Sequence, residues 1–171
     1  MSLLTTLSIA ATVVAITSFS DSPVLKITST SFVNDGPIPA KYSCEGEDVS
    51  PPLLISNIPS GTKSLAIILH DPDAPMKGGF THWVVWNIEP GDNKISENFK
   101  GARQGLNSAG QPGYAGMCPP SGTHHYHFMV YALDTKLNID IKTNKAGLEK
   151  SMQGHVLAQG DLVGLYKKNK Q

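Results

Sequence analysis

The chain has 171 residues, enough for one domain with a single sizeable core. Lys plus Arg and Asp plus Glu are equal at 14 each, so the formal net charge is zero. Neutrality argues against nucleic-acid binding by counterion release and against a polybasic hold on a membrane surface. The 16 glycines and 12 prolines favour turn-rich β architecture over a helical bundle.

Residues 1–20 are apolar and uncharged. Within them, 7–16 has the length of a signal-peptide hydrophobic region, and Ser18 and Ser20 are small residues at −3 and −1 of a cut after Ser20. We therefore expect residues 1–20 to be a signal peptide, 21–171 to form a single domain, and the protein to be periplasmic or secreted, with a cytoplasmic protein as the alternative. The segment is short and rich in Thr and Ser for a membrane span, and none is expected in the mature chain. Cys44 and Cys118 both follow the cut. In an exported chain the pair reads as a disulfide closing a long loop, worth about 4 kcal/mol in the chain-entropy model. In a cytosolic chain it reads as two small buried thiols.

From Val24 onward, short apolar runs alternate with turn signals. "VLKITSTSF" reads as a strand and "NDGPIPAKYSCEGEDVSPP" as a long loop. "LLISNIPSG" is a short strand and a turn. "SLAIILHDPDAP" is a continuous apolar strand stopped at Asp-Pro, and "THWVVWNIEPGDNKIS" is a further strand. Residues 97–117 form a second long loop, and "HHYHFMVYALD" is the next strand. "NKAGLEKSMQGHVLAQ" predicts a helix with Leu148, Met152, His155, Val156 and Gln159 on one face and Gly160 just past its end. His155 then reads as a satisfied interface histidine. "DLVGLYKK" closes as a strand. The class is mainly β, with one late helix and long loops, and loops of that length usually carry function.

Side chains alternate faces along a strand. His124, Tyr126, Phe128, Val130 and Ala132 share one face, which turns purely apolar and is the expected core face. His124 and Tyr126 then stand at the mouth of the core. By the same rule His82 shares a face with Val84 and Trp86, and His82 and His124 converge if their strands are close. Asp71 and Asp73 lie in a loop stiffened by two prolines, a platform for orienting imidazoles or a simple turn cap. His125 and His127 have the spacing to chelate one zinc, but no third or fourth ligand is in sight, so no metal is expected. The plain reading of both is an exposed strand face. Cys118 and Ser121 lack an evident base, and no GxSxG elbow occurs. What remains is a pocket of imidazole and phenol donors rimmed by Pro119 and Pro120, suited to a small anion.

"DPDAP" (71–75), "THWVVWNI" (81–88) and "GYAGMCPPSGTHHYHFMVYALD" (113–134), preceded by "SPPL" (50–53), resemble the phosphatidylethanolamine-binding protein family. "GHVLAQGDLVGLY" (154–166) is similar to the C-terminal segment of its bacterial Raf-kinase-inhibitor-like branch, and the resemblance spans residues 25–168. It implies a β-sandwich of antiparallel sheets in Greek-key order with an anion pocket at one end. Carried over motif by motif, the ligand-binding residues would be Asp71, Pro75, His82, Pro119, Pro120, His124 and Tyr126. Tyr114 and Gly116 would form the loop beside them, and Asp73 would fix the turn or a neighbouring histidine. Eukaryotic relatives carry a C-terminal helix flanking the pocket. This chain stops soon after "LYKKNK", so a more open pocket is expected. Kinase regulation does not carry over on these motifs, and homodimers are common in the bacterial branch.

The leading expectation is a non-catalytic binding protein for a small phosphorylated or carboxylated group, with no cofactor. The second is an inhibitor or regulatory protein acting on an enzyme partner through the loops around the pocket, whose sign would be an exposed apolar patch there. The third is a hydrolase using His82 or His124 as general base.

Overall fold

The computed structural model describes residues 23–91 and 93–169; the expected signal peptide lies outside them. In chain order the strands are β1 (Lys26–Thr28), β2 (Gly36–Pro37), β3 (Leu53–Ser56), β4 (Ser64–Asp71), β5 (Phe80–Ile88), β6 (Lys94–Ile95), β7 (Arg103–Gln104), β8 (Thr123–Leu133) and β9 (Val156–Lys167). One α-helix, α1 (Lys145–Met152), stands between β8 and β9. Among the described residues no helix is long and apolar enough to cross a membrane.

The strands make two sheets, one of order β1-β3-β6 and one of order β2-β9-β8-β4-β5-β7. Strands β4 and β8 are neighbours although a long connection separates them in sequence, the kind of return that a Greek-key arrangement needs. The larger sheet is mixed: β2 runs parallel to β9 through Gly36 and Pro37, while the other pairings are antiparallel. The sandwich of antiparallel sheets is as expected, with this short parallel pairing added at one edge. The cause is the "NDGPIPAKY" loop, which lends two residues to the sheet edge, and edges tolerate Pro.

The main core lies between the sheets. Leu65, Ile67, Leu69, Trp83, Val85, Phe128 and Val130 pack there against Ile27, Leu53 and Ile55. A second cluster covers the outer face of the large sheet, where Leu148 and Met152 of α1 sit over Ala66, Ile68, Val84 and Trp86. Being packed on both faces explains why β4 reads as a continuous apolar run rather than an alternating one.

The predicted helix is shorter than its sequence pattern. It starts at the Asn144 cap, whose side chain accepts from Gly147 N–H, and ends at Met152. Gly154 has φ of 80°, and the chain then enters β9. Val156 and Gln159 are therefore strand residues, and Gly160 lies within the ladder. His155 is exposed in the turn, its Nδ1 held by Asp134 at 2.8 Å, rather than on an apolar helix face.

Candidate functional site

β4 stops at Asp71 because Pro72 has no N–H to continue the ladder. The loop that follows winds around the Asp71 side chain. Oδ1 accepts from the backbone N–H groups of Asp73 and Ala74, at 2.9 and 3.1 Å. Oδ2 faces the neighbouring β8 and accepts from His124 Nδ1 at 2.8 Å. Both partners are buried, with side-chain exposures of 9% for His124 and 4% for Asp71.

His82 reaches the same place by a different device. Leu69 pairs with Trp83 and His70 with Thr81, so His82 is the extra residue of a β-bulge. Strict alternation puts His82 with Val84 and Trp86, and those two lie in the outer cluster under α1. The bulge turns the imidazole to the opposite side of the sheet, where its ring lies 5.3 Å from that of Tyr126. The expected shared face of His82, Val84 and Trp86 is thus corrected, and the convergence with His124 comes from a local backbone irregularity. His82 Nδ1–H donates to the Ala115 carbonyl at 2.8 Å, while Ala115 N–H donates back to the His82 carbonyl. Burial pushes the His82 pKa below its ordinary value, against the opposing pull of the Ala115 carbonyl.

The resulting pocket has a volume of about 270 Å³. Asp71, His82 and His124 supply its polar surface. Ala74, Pro75, Met76 and Phe80 form one wall, and Ala115, Gly116, Cys118, Pro119 and Pro120 the other. Each imidazole is fixed through Nδ1. Among the described residues neither Nε2 has a hydrogen-bond partner, and neither is among the buried unpartnered atoms, so both keep some access to solvent on rings that line the pocket. A larger concavity of about 550 Å³ lies near the start of α1, but it contains none of these histidines.

The structure thus brings Asp71, Pro75, His82, Gly116, Pro119, Pro120 and His124 into one lining. Tyr126 and Tyr114 stand behind it. Tyr126 packs against both histidine rings, 5.3 Å from His82 and 6.4 Å from His124. Among the described residues its buried hydroxyl makes no bond of hydrogen-bonding geometry. Burial first, and then the nearby Asp71 charge, hold its pKa well above the usual phenol value. Tyr114 donates to the Tyr42 carbonyl at 2.7 Å and braces the second wall from outside. Asp73 sits apart from the pocket and accepts from His125, both from Nδ1 at 2.7 Å and from the backbone N–H at 2.8 Å. His127 is likewise held by Asp161 at 2.7 Å, so the strand face read as plain carries two Asp–His pairs.

Sequence reasoning missed Ala74, Met76, Phe80, Ala115 and Cys118 as lining residues. Phe80 was legible, since it stands two residues before His82 at the start of the same strand. The role of Ala115 was not, because its carbonyl carries it.

The second wall is tied to the loop at residues 42–48. Gly116 N–H donates to Asp48 Oδ1 at 2.5 Å, Cys44 N–H donates to the Met117 carbonyl at 3.1 Å, and Cys44 and Cys118 form a disulfide. Gly116 is needed for this approach: a Cβ there would lie 2.6 Å from Asp48 Oδ1 and 2.8 Å from the Ser43 carbonyl carbon. Gly116→Ala should therefore push the wall inward and cost about 1–3 kcal/mol as an overpacking change, read by denaturant unfolding. An unchanged midpoint would show that the wall yields freely.

Comparison with known proteins agrees with this architecture. The family model described as phosphatidylethanolamine-binding protein matches residues 28–167. A UPF0098 protein of Pyrococcus horikoshii, PH1269, is 51% identical over 154 residues, covering 84% of this chain and 77% of that one. The crystal structure of CT736 from Chlamydia trachomatis, described as a phosphatidylethanolamine-binding protein homolog, is similar with a TM-score of 0.82 and 41% identity. That match covers 86% of this chain and all of the other. E. coli YbcL, described as a member of the mammalian PEBP family, follows with a TM-score of 0.79 and 31% identity over 85% of this chain and 99% of its own. On fold, motif order and these matches, the chain belongs to the phosphatidylethanolamine-binding protein family.

Proposed function

We propose that the protein is a non-catalytic binding protein whose pocket takes a small anionic group: a phosphate monoester, a phosphoethanolamine-like head group or a carboxylate. The observation that carries this is the pair of buried imidazoles, His82 and His124, each locked through Nδ1 and lining one small pocket, with Nε2 unpartnered among the described residues. Locked rings lose little freedom on binding, which favours recognition of a few ligand atoms. A volume of about 270 Å³ suits a head group and leaves no room for acyl chains. The proline, alanine and phenylalanine walls fit the carbon side of such a ligand. The lining residue Cys118 is bonded to Cys44 and so is not a free nucleophile. Two cysteines in an exposed disulfide also support export to an oxidising compartment.

One observation favours a second reading, an interaction protein acting on an enzyme partner. Met76 is 49% exposed at the rim, beside exposed Pro75 and on the same pocket as exposed Pro120 of the other wall, and this is the apolar surface such a partner would use.

The test is isothermal titration with O-phosphoethanolamine and with inorganic phosphate, beside His82→Ala. Saturable binding abolished in the variant is the expected result, and comparing the two ligands shows whether the ethanolamine matters. A folded protein that binds neither ligand would sink the anion reading and leave the rim as the working surface.

A further inference from the structure

We propose that the Cys44–Cys118 disulfide is a thiol-sensitive clamp on the pocket, so that reducing it loosens the Cys118–Pro119–Pro120 lip and weakens ligand binding. The proposal rests on the anion-pocket reading and adds a regulation to it.

Cys118 lines the pocket directly, together with the two prolines that follow it. Both cysteines are exposed residues, so a soluble thiol can approach the bond. What makes the bond matter is the lack of other ties. Met117 is held by the Cys44 N–H, and Thr123 pairs with Lys167 at the start of β8. Between these anchors, among the described residues, 118–122 take part in no hydrogen bond. Pro119 and Pro120 have no N–H to give, and Ser121 and Gly122 are exposed. Buried Pro119 adds packing, but the covalent link at Cys118 is the fixed point of this span.

The rest of the wall has independent support. Ala115 is bonded to His82 in both directions and Gly116 to Asp48. Reduction should therefore free the lip while the histidines stay in place. The step balances with an external dithiol as reductant. One thiolate attacks a cysteine sulfur, the protein S–S bond breaks, and the released thiolate takes up a proton. The second reagent thiol then displaces the other cysteine, leaving two protein thiols and the reagent as its cyclic disulfide. A ligand that binds the reduced form must order the lip again, and this cost lowers affinity.

The experiment titrates O-phosphoethanolamine into the oxidised protein, the dithiothreitol-reduced protein and the Cys44→Ser/Cys118→Ser variant. Alkylation of two thiols per chain confirms reduction, and circular dichroism confirms the fold. The expected result is an affinity about ten-fold weaker in both bond-free forms. In parallel, the ¹⁵N heteronuclear NOEs of Ser121 and Gly122, measured without ligand, should fall on reduction. Unchanged affinity in the fully reduced, folded protein overturns the proposal, and so do unchanged NOEs. Loss of the whole fold on reduction also overturns it, because the bond would then hold the domain and not the lip. If the oxidised protein binds no ligand, the pocket reading fails by itself. The NOEs then decide the clamp: lowered values support it and unchanged values reject it.

Discussion

Asp71→Ala is expected to destabilise the protein by about 3–5 kcal/mol, the cost of removing one member of a buried, hydrogen-bonded pair. Asp71 is 3% exposed and accepts three hydrogen bonds, from His124 Nδ1 and from the N–H groups of Asp73 and Ala74. Truncation leaves all three donors without their acceptor, and buried unpaired donors are more costly than the bonds themselves are worth. For a chain of this size the melting temperature should drop by roughly 10 °C. Asp71→Asn separates shape from charge. Its Oδ1 still serves the two backbone N–H groups, but its amide N–H then faces His124 Nδ1. That nitrogen must become an acceptor, which moves the neutral ring's proton to Nε2. Imidazole ¹⁵N shifts of His124 report the tautomer, a readout that a merely structural role would leave unmoved. A melting temperature within a degree of wild type for Asp71→Ala would show that the DPDAP loop holds itself, and that the Asp71–His124 bond is incidental.

The parts of the fold that the sequence shows plainly are those fixed by local pattern. The apolar run of β4, its arrest at Asp71–Pro72 and the alternation of β8 follow from two-residue periodicity and proline chemistry, and the burial of His124, Tyr126, Phe128 and Val130 repeats that alternation. The parts that were hidden depend on partners distant in sequence. Residues 156–159 continue the helical spacing of Leu148 and Met152, yet they join β9, because the eleven residues of β8 need a partner along most of their length. Long-range pairing outweighs a helical preference that one positive-φ glycine already interrupts. At the site, the resemblance supplied the residues and alternation supplied a reason for their convergence. That reason holds for His124 and fails for His82. A bulge has no local sequence mark, and here it alone brings His82 around to the pocket. The Ala115 carbonyl and the Asp48 carboxylate behind Gly116 were invisible for a related cause: they act through loop geometry and not through the chemistry of a motif.

On the proposed anion-binding reading, affinity for the anion should rise as pH falls, while the stability of the free fold should fall. His82 is buried, and burial lowers its pKa below the ordinary histidine value, so near neutral pH its ring carries one proton, on the Nδ1 that faces Ala115. Its Nε2 then presents a lone pair to the pocket, which repels an anion. Binding becomes favourable when Nε2 gains a proton, and the bound anion in turn raises the His82 pKa. Below the free-state pKa the ring is charged with or without ligand, and affinity is flat. Between the free and bound pKa values affinity drops about ten-fold per pH unit as pH rises, and above the bound value it levels off. Acetate is the better probe here, because it does not titrate over this range as a phosphate monoester does. His82→Gln, with a pH-independent amide donor, should flatten the slope. For folding the sign reverses. His70 is also lowered by burial, so the unfolded chain takes up protons at both residues before the native chain does. Stability contributed by these two neutral rings is complete above about pH 6.5 and declines as pH falls from there toward their native values. Acid therefore loosens the empty domain and strengthens its hold on the ligand, and the ligand's stabilising effect on melting should be larger at pH 6 than at pH 8. Equal affinity for acetate across that range would mean that neutral donors carry the binding, with His82 serving only to hold Ala115 in the wall.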